Sequence, residues 1–369
     1  MKSKIGIIIG REFSERVHKK SFIFTTLFTP VLMIALIFTP MLISDYYGDD
    51  TERTVMVDAY GVISTPSDSE DLYFDWNGQP AMQEYSAVTT QQPVETQDDY
   101  SAEETSAFVE MMLAYVLSFI LYMFILLYGV MVMQSVIEEK NNRVLEVLAS
   151  TVRPFDMMMG KILGIACVAL LQIIIWIVLI AGIAYYVLPH LLPDDILATL
   201  ALMRQGIPAA AIEGGSHLGI LQAIMILSDI GYVGNIVIWL FVFVFGGFLL
   251  YAAMFAAVGS AVDSPQDAQQ LQTPIVLPLI LSILVMLSVI NAPASDTAFW
   301  FSMIPLTSPI IMMARIPYGV PTWEIALSAA LLYATFIITV WGAGKIYRVG
   351  ILMHGKKPNL KELWRWMRY

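Results

Sequence analysis

Three groupings of residues in this 369-residue chain could do chemistry. Glu138 and Glu139, followed by Arg143, set two carboxylates and a cation on one stretch, where they could activate a water for hydrolysis inside a membrane. That chemistry also needs histidines on neighbouring spans, and His18, His190, His217 and His354 all fall in flanks or loops. The run Gly350-Ile-Leu-Met-His-Gly355-Lys356 has the spacing of a phosphate-cradling loop. Lys357 stands where a hydroxyl should reach magnesium, and no strand–loop–helix unit surrounds the run to aim its backbone N–H groups. The third grouping would be a carboxylate or broken helix at mid-membrane depth, the mark of ion-coupled transport. Glu110, Gln134, Gln172 and Asn235 lie near span ends, and Glu324 lies at the mouth of the last span. None of the three is complete. The chain is expected not to be an enzyme, and to bind no nucleotide, metal or cofactor of its own.

The elements that must position these residues are membrane spans. The chain is 57% hydrophobic and 14% charged, with a mean hydropathy of +0.69. A soluble domain is nearer 45–50% apolar and about 25% charged. Six stretches approach or exceed the ~20 apolar residues that cross a bilayer. The expected fold class is an all-α polytopic membrane protein, with six transmembrane helices and a small extracytoplasmic domain between the first and second.

Charge sets the expected orientation. Seventeen of the twenty Lys and Arg fall in the N-terminus, the segment around 140–161 and the C-terminus. With six spans all three lie on one side, and the positive-inside rule makes that side the cytoplasm. The loop Ser44–Ala107 holds fifteen acidic residues against Arg53 alone and is expected outside. The chain is thus read as a multi-pass protein of the cytoplasmic (inner) membrane with both termini cytoplasmic. The first span lacks a cleavage site and reads as a retained anchor. The single Cys167 allows no internal disulfide.

The expected organisation runs as follows. Residues 1–21 form a cytoplasmic amphipathic helix. Ile5, Ile9, Phe13 and Val17, with Ile8, form its apolar stripe, expected to lie in the lipid interface, and Glu12–Arg16 and Glu15–Lys19 pair on its polar flank. Span 1 covers 22–43. The external loop 44–107 has strand-like stretches at Thr54–Ile63 and Leu72–Trp76, then an irregular acidic part. Span 2 (108–134) leads into a cytoplasmic segment, 135–161, and span 3 (162–188) into external surface helices, 189–232. Span 4 (233–259), a polar cytoplasmic loop (260–273) and span 5 (274–290) follow. An external re-entrant hairpin (291–322), span 6 (323–346) and a basic tail (347–369) complete the chain.

The segment Glu138–Lys161 is the charged, patterned exception between two apolar runs. Ile137, Val144, Leu145 and Leu148 share a helical face, while Glu139 and Arg143 pair at i, i+4 on the polar side. Pro154 breaks that helix and suits the first turn of the next, with Asp156 favourable near its N-terminus. Such a helix could fill a groove on a soluble partner or lie on the bilayer.

The wording of this segment, EEKNNRVLEVLASTVRPFDMMMGKILG, resembles the loop between spans 2 and 3 of ATP-binding-cassette (ABC) type-2 permeases, particularly the sodium-efflux-type, NatB-like branch. REFSERVHKKSFIFTTLFTP, SPQDAQQLQTP, IPLTSPIIMMARIPYG and GKIYRVGILMHGKK extend the resemblance in order along the chain. The external loop is short for that branch. The resemblance implies a permease half that pairs with a second copy or a homologous permease and is driven by a separate ABC ATPase subunit, with ATP and magnesium on that partner. It implies an ATPase contact through Glu138, Glu139, Arg143, Leu145, Glu146, Leu148, Arg153, Pro154 and Phe155, braced by the N-terminal helix. It also implies an external gate in the hairpin, with Pro305, Ser308, Pro309 and Arg315. Membrane lipids are the other expected partners; nucleic acid is not. A stand-alone secondary transporter, a non-transporting scaffold and an intramembrane protease are the rivals. Sodium ion, lipid, drug and peptide all remain open as cargo.

Overall fold

The computed structural model describes residues 4–20, 22–24, 26–28, 56–57, 63–64, 97–142, 152–186, 201, 224–353, 362 and 365–367. Expected span 1 lies largely outside these residues, as do Leu72–Trp76 and most of 189–232. One compact unit comprises Met1–Pro30 and Ser101–Tyr369; a second comprises Val31–Tyr100. In the second unit, β1 (Met56–Val57) and β2 (Ile63–Ser64) pair antiparallel, Met56 opposite Ser64.

The first unit is helical. Its elements are α1 (Lys4–Val17), α2 (Gln97–Asn141), α3 (Pro154–Tyr186), α4 (Ile230–Ala261), α5 (Pro265–Asn291), α6 (Asp296–Met303), α7 (Ser308–Arg315) and α8 (Thr322–Gly350). Five helices among the described residues are long and apolar enough to cross a membrane: α2 from Val109, α3, α4, α5 and α8. They expose large apolar side chains on their outer faces, including Val178 on α3, Leu284 on α5 and Ile338 on α8. A soluble bundle would place polar residues there; hydrocarbon tolerates none.

Several boundaries differ from the sequence expectation. The polar stretch expected as a loop at 260–273 is mostly the start of α5. Ser264 caps it, accepting from Asp267 N at 3.2 Å, and Pro265 opens it. Only Val262, Asp263 and Ser264 separate α4 from α5. Likewise α2 begins at Gln97, inside the stretch expected to be irregular.

Helix α4 is the axis of the bundle, its second half buried almost throughout, with α8 lying along it and α3, α5 and α7 around it. Where apolar burial gives little drive, helices associate through close packing of small residues and interhelical hydrogen bonds. Both devices meet at one end of α4. A Cβ on Gly259 would come within 2.7 Å of the Met133 carbonyl oxygen of α2, and one on Gly350 within 2.8 Å of the Ser260 carbonyl oxygen. Backbone meets backbone there, joining α2, α4 and α8.

Candidate functional site

The charged groups that the sequence scatters along the chain converge at that same end. Lys161, on the second turn of α3, is 2% exposed. Its Nζ donates to Glu12 Oε1 of α1 at 2.8 Å and to Ser135 Oγ of α2 at 2.8 Å. It also lies 2.9 Å from Glu139 Oε2 near the end of α2. Arg16 Nη2 holds the other Glu12 oxygen at 3.1 Å, and Arg11 Nη1 lies 3.5 Å from Glu139 Oε1. Removing a lone ion from water this completely costs several kcal/mol, and partners of this kind offset that cost. Beside this cluster, Lys140 pairs with Asp263 at 2.9 Å and donates to the Ser260 carbonyl at 2.8 Å, tying α2 to the α4–α5 turn.

Helix α1 reaches Lys161 because α3 is notched. Gly160 and Gly164 flank the lysine one turn apart. A Cβ on Gly160 would strike Ile8 at 2.8 Å, and one on Gly164 would strike Glu12 Cβ at 2.7 Å. The stripe expected in the lipid interface is partly covered by protein, with Ile8, Phe13 and Val17 partly buried against the core. Glu12 is buried within that face, not on a polar flank, and Glu15 pairs with Arg11 at 3.1 Å. Burial pushes the Glu12 carboxyl up, but Lys161 and Arg16 outweigh it and hold it below the ordinary value of 4.5.

The residues singled out as the ATPase contact divide. Glu138 is exposed at the end of α2, whereas its neighbour Glu139 turns inward to Lys161. Arg143, Leu145, Glu146 and Leu148 lie outside the described residues. Arg153 is exposed, and its carbonyl accepts from Met157 N at 3.1 Å, starting α3. Pro154 is the first residue of α3, with Asp156 in its first turn. Phe155 lies against bare backbone at Gly344 of α8. Lys161, Glu12 and Ser135 were not among the expected site residues. The Gly160–Gly164 pair around a lone lysine was the signal in the sequence.

A second constellation sits toward the opposite end of the bundle. Helices α6 and α7 form a hairpin between α5 and α8, and all eight residues of α7 are buried. Its tip reaches deep: Tyr251 of α4 donates to the Leu306 carbonyl at 2.7 Å, while Tyr232 donates to the Pro317 carbonyl at 3.0 Å. At 1.5 Å per residue those two tyrosines stand roughly 28 Å apart along α4. Pro309 packs on Gly247, Pro305 is half-buried in the turn, and Ser308 Oγ is buried without a hydrogen-bond partner. Arg315 closes the hairpin. It is 5% exposed, pairs with Glu324 of α8 at 2.9 Å and donates to Ser302 Oγ at 2.7 Å and the Pro293 carbonyl at 3.0 Å.

The described residues thus form a bundle of span-length apolar helices with a charge-locked end, a buried hairpin toward the other and few charges between. A family model described as ABC-2 family transporter protein matches residues 68–345. The chain belongs to that family. It is similar to uncharacterized protein YhaP of Bacillus subtilis, 27% identical over 280 residues, which cover 76% of this chain and 60% of that protein. It is also similar to uncharacterized protein MJ1024 of Methanocaldococcus jannaschii, 26% identical over 261 residues, 70% of this chain and 55% of that protein. The aligned regions thus span less than two thirds of either relative. No solved structure matches.

Proposed function

We propose that this chain is the permease subunit of an ATP-driven exporter of the sodium-efflux-type branch, worked by separate ATPase subunits that carry ATP and magnesium. Two permease copies, or this chain and a homologue, form the pathway, with the basic end of the bundle in the cytoplasm. The observation that carries the reading is the contact between Lys161 and Glu139. Glu139, near the end of α2, and Lys161, near the start of α3, flank the charged segment; they are clamped to each other, and Lys161 is clamped also to Glu12 of α1.

A push on the segment therefore acts on α1, α2 and α3 as one body and not on a slack loop. ATP binding draws the two ATPases together, moves the segment and tilts these helices against α4. At the far end, α2 is bonded to the hairpin through Ser118 Oγ and the Ile310 carbonyl, 3.1 Å apart. Movement of α2 then displaces the hairpin and opens the outer side. The sparsely charged interior favours an amphipathic or lipid-like cargo.

The test uses the exposed pair at the base of the segment, Glu138 and Arg153. The double substitution E138R/R153E is expected to abolish association with the ATPase while leaving the thermal stability of the detergent-solubilised chain unchanged. Association undiminished in that variant contradicts the assignment.

A further inference from the structure

At the basic end of α8, four residues share one face with the spacing i, i+3, i+4 and i+7: Trp341, Gly344, Lys345 and Arg348. With Phe155 of α3 and Val349 they line a cleft of about 470 Å³. Lys345 Nζ sits 4.3 Å from the centre of the Trp341 ring and donates to the Met367 carbonyl at 3.1 Å. Arg348 is exposed, and among the described residues neither cation forms an ion pair. Gly344 is the floor: a Cβ there would strike Phe155 Cδ2 at 2.8 Å, so the ring of Phe155 forms a wall directly on the backbone of α8.

The face continues away from the cations as bare hydrocarbon. Ile337 is 65% exposed, Ile338 69% and Trp341 62%. Read along α8, the surface passes from branched aliphatics to an indole and then to two positive charges. That order matches an acyl chain, a glycerol–carbonyl region and a phosphate. An indole sits favourably at the carbonyl depth of a bilayer, and basic residues just beyond it attract anionic head groups.

We propose that this cleft is a binding site for one anionic glycerophospholipid, its phosphate held by Arg348 and Lys345 and its acyl chain laid along Trp341, Ile338 and Ile337. A zwitterionic lipid brings its own cation and leaves the two side-chain charges uncompensated, so the site selects net-negative head groups. A soluble acidic protein would satisfy the cations but has no use for the aliphatic stretch above them. The bound lipid bridges the first turn of α3, through Phe155, to the end of α8.

The experiment reconstitutes the full chain in bilayers containing acyl-brominated phosphatidylglycerol or acyl-brominated phosphatidylcholine, and measures the tryptophan quenching lost in a W341F variant. Quenching of Trp341 is expected to be stronger with the phosphatidylglycerol. The preference for it should drop by about fivefold in R348Q and further in K345Q/R348Q, from the loss of one cation and then two at the membrane surface. R348Q changes an exposed side chain and keeps the test valid where the double variant fails to fold. Equal quenching by the two lipids, or a preference unchanged in R348Q, overturns the proposal. So does abolition of the preference by free inorganic phosphate, which identifies a simple anion site, and so does abolition by an acidic soluble peptide, which identifies a protein-docking surface.

Discussion

Lys161 and Glu139 stand at the two roots of the charged segment, and their side chains meet at 2.9 Å. The contact joins the end of α2 directly to the start of α3. Glu12 closes the cluster from a third helix at 2.8 Å, so α1, which is not among the candidate spans, is joined to the same cluster.

Removing the lysine should be far worse than weakening any one partner. K161M leaves Glu12 and Glu139 buried beside each other without their shared cation. The expected loss of stability is about 3 kcal/mol or more. E139Q retains an acceptor for Lys161 and should cost less than half of that. E139M in the K161M background should restore part of the loss, because the two residues act on one network. Thermal or denaturant unfolding of the solubilised chain reads all three.

The same cluster sets a pH dependence. Glu12 titrates below its ordinary 4.5 in the folded chain, so the docking of α1 is fully supported above that pH. Its contribution is lost as pH falls below 4.5 through the lower folded-state value, because the unfolded chain there binds the proton first. Stability plotted against pH should fall in that acid window for the wild type and more shallowly for E12Q.

Docking of α1 also depends on the notch in α3. G164L drives a side chain into Glu12 and the Ile9 carbonyl, which a Gly164 Cβ would already approach at 3.3 Å. An overpacked contact of this kind costs about 1–3 kcal/mol. A cysteine at position 8, in a C167S background, should then react faster with a water-soluble maleimide than it does without the G164L change.

Arg315 should hold the hairpin as Lys161 holds the α1–α2–α3 cluster. R315M strands Glu324 and removes the bond to Ser302 Oγ, an expected loss of about 3 kcal/mol. E324Q still accepts from the guanidinium and should be mild. Hydrogen exchange across 292–321 is expected to quicken in R315M. If the hairpin closes the outer end, proteoliposomes carrying that variant should also leak.

Five of the six expected spans correspond to long apolar helices among the described residues, and they were legible in the sequence because hydrocarbon imposes a composition that few soluble sequences share. The start of α5 was obscured because its first two turns are polar, although Ser264-Pro265 with Asp267 is a capping signature. The inward turn of Glu139 was not legible. An i, i+4 partner at Arg143 offered it a local explanation, and nothing in spacing alone says that Lys161 and Arg11 will meet it. Arg315 was visible as the odd charge in IIMMAR, but its bond to Glu324 depends on how α7 meets α8. Local patterns name the helices; the ion pairs between them are tertiary facts.

The most direct test of the central claim is affinity purification of the chain from its native membrane in mild detergent, with the composition and ATPase activity of whatever co-purifies. The wild type is expected to bring down a stoichiometric soluble subunit with a phosphate-binding loop and ATP hydrolysis, and a chain with residues 143–150 replaced by Gly and Ser to lose both. A chain that emerges alone under several gentle conditions, or that keeps its ATPase after that replacement, contradicts the account.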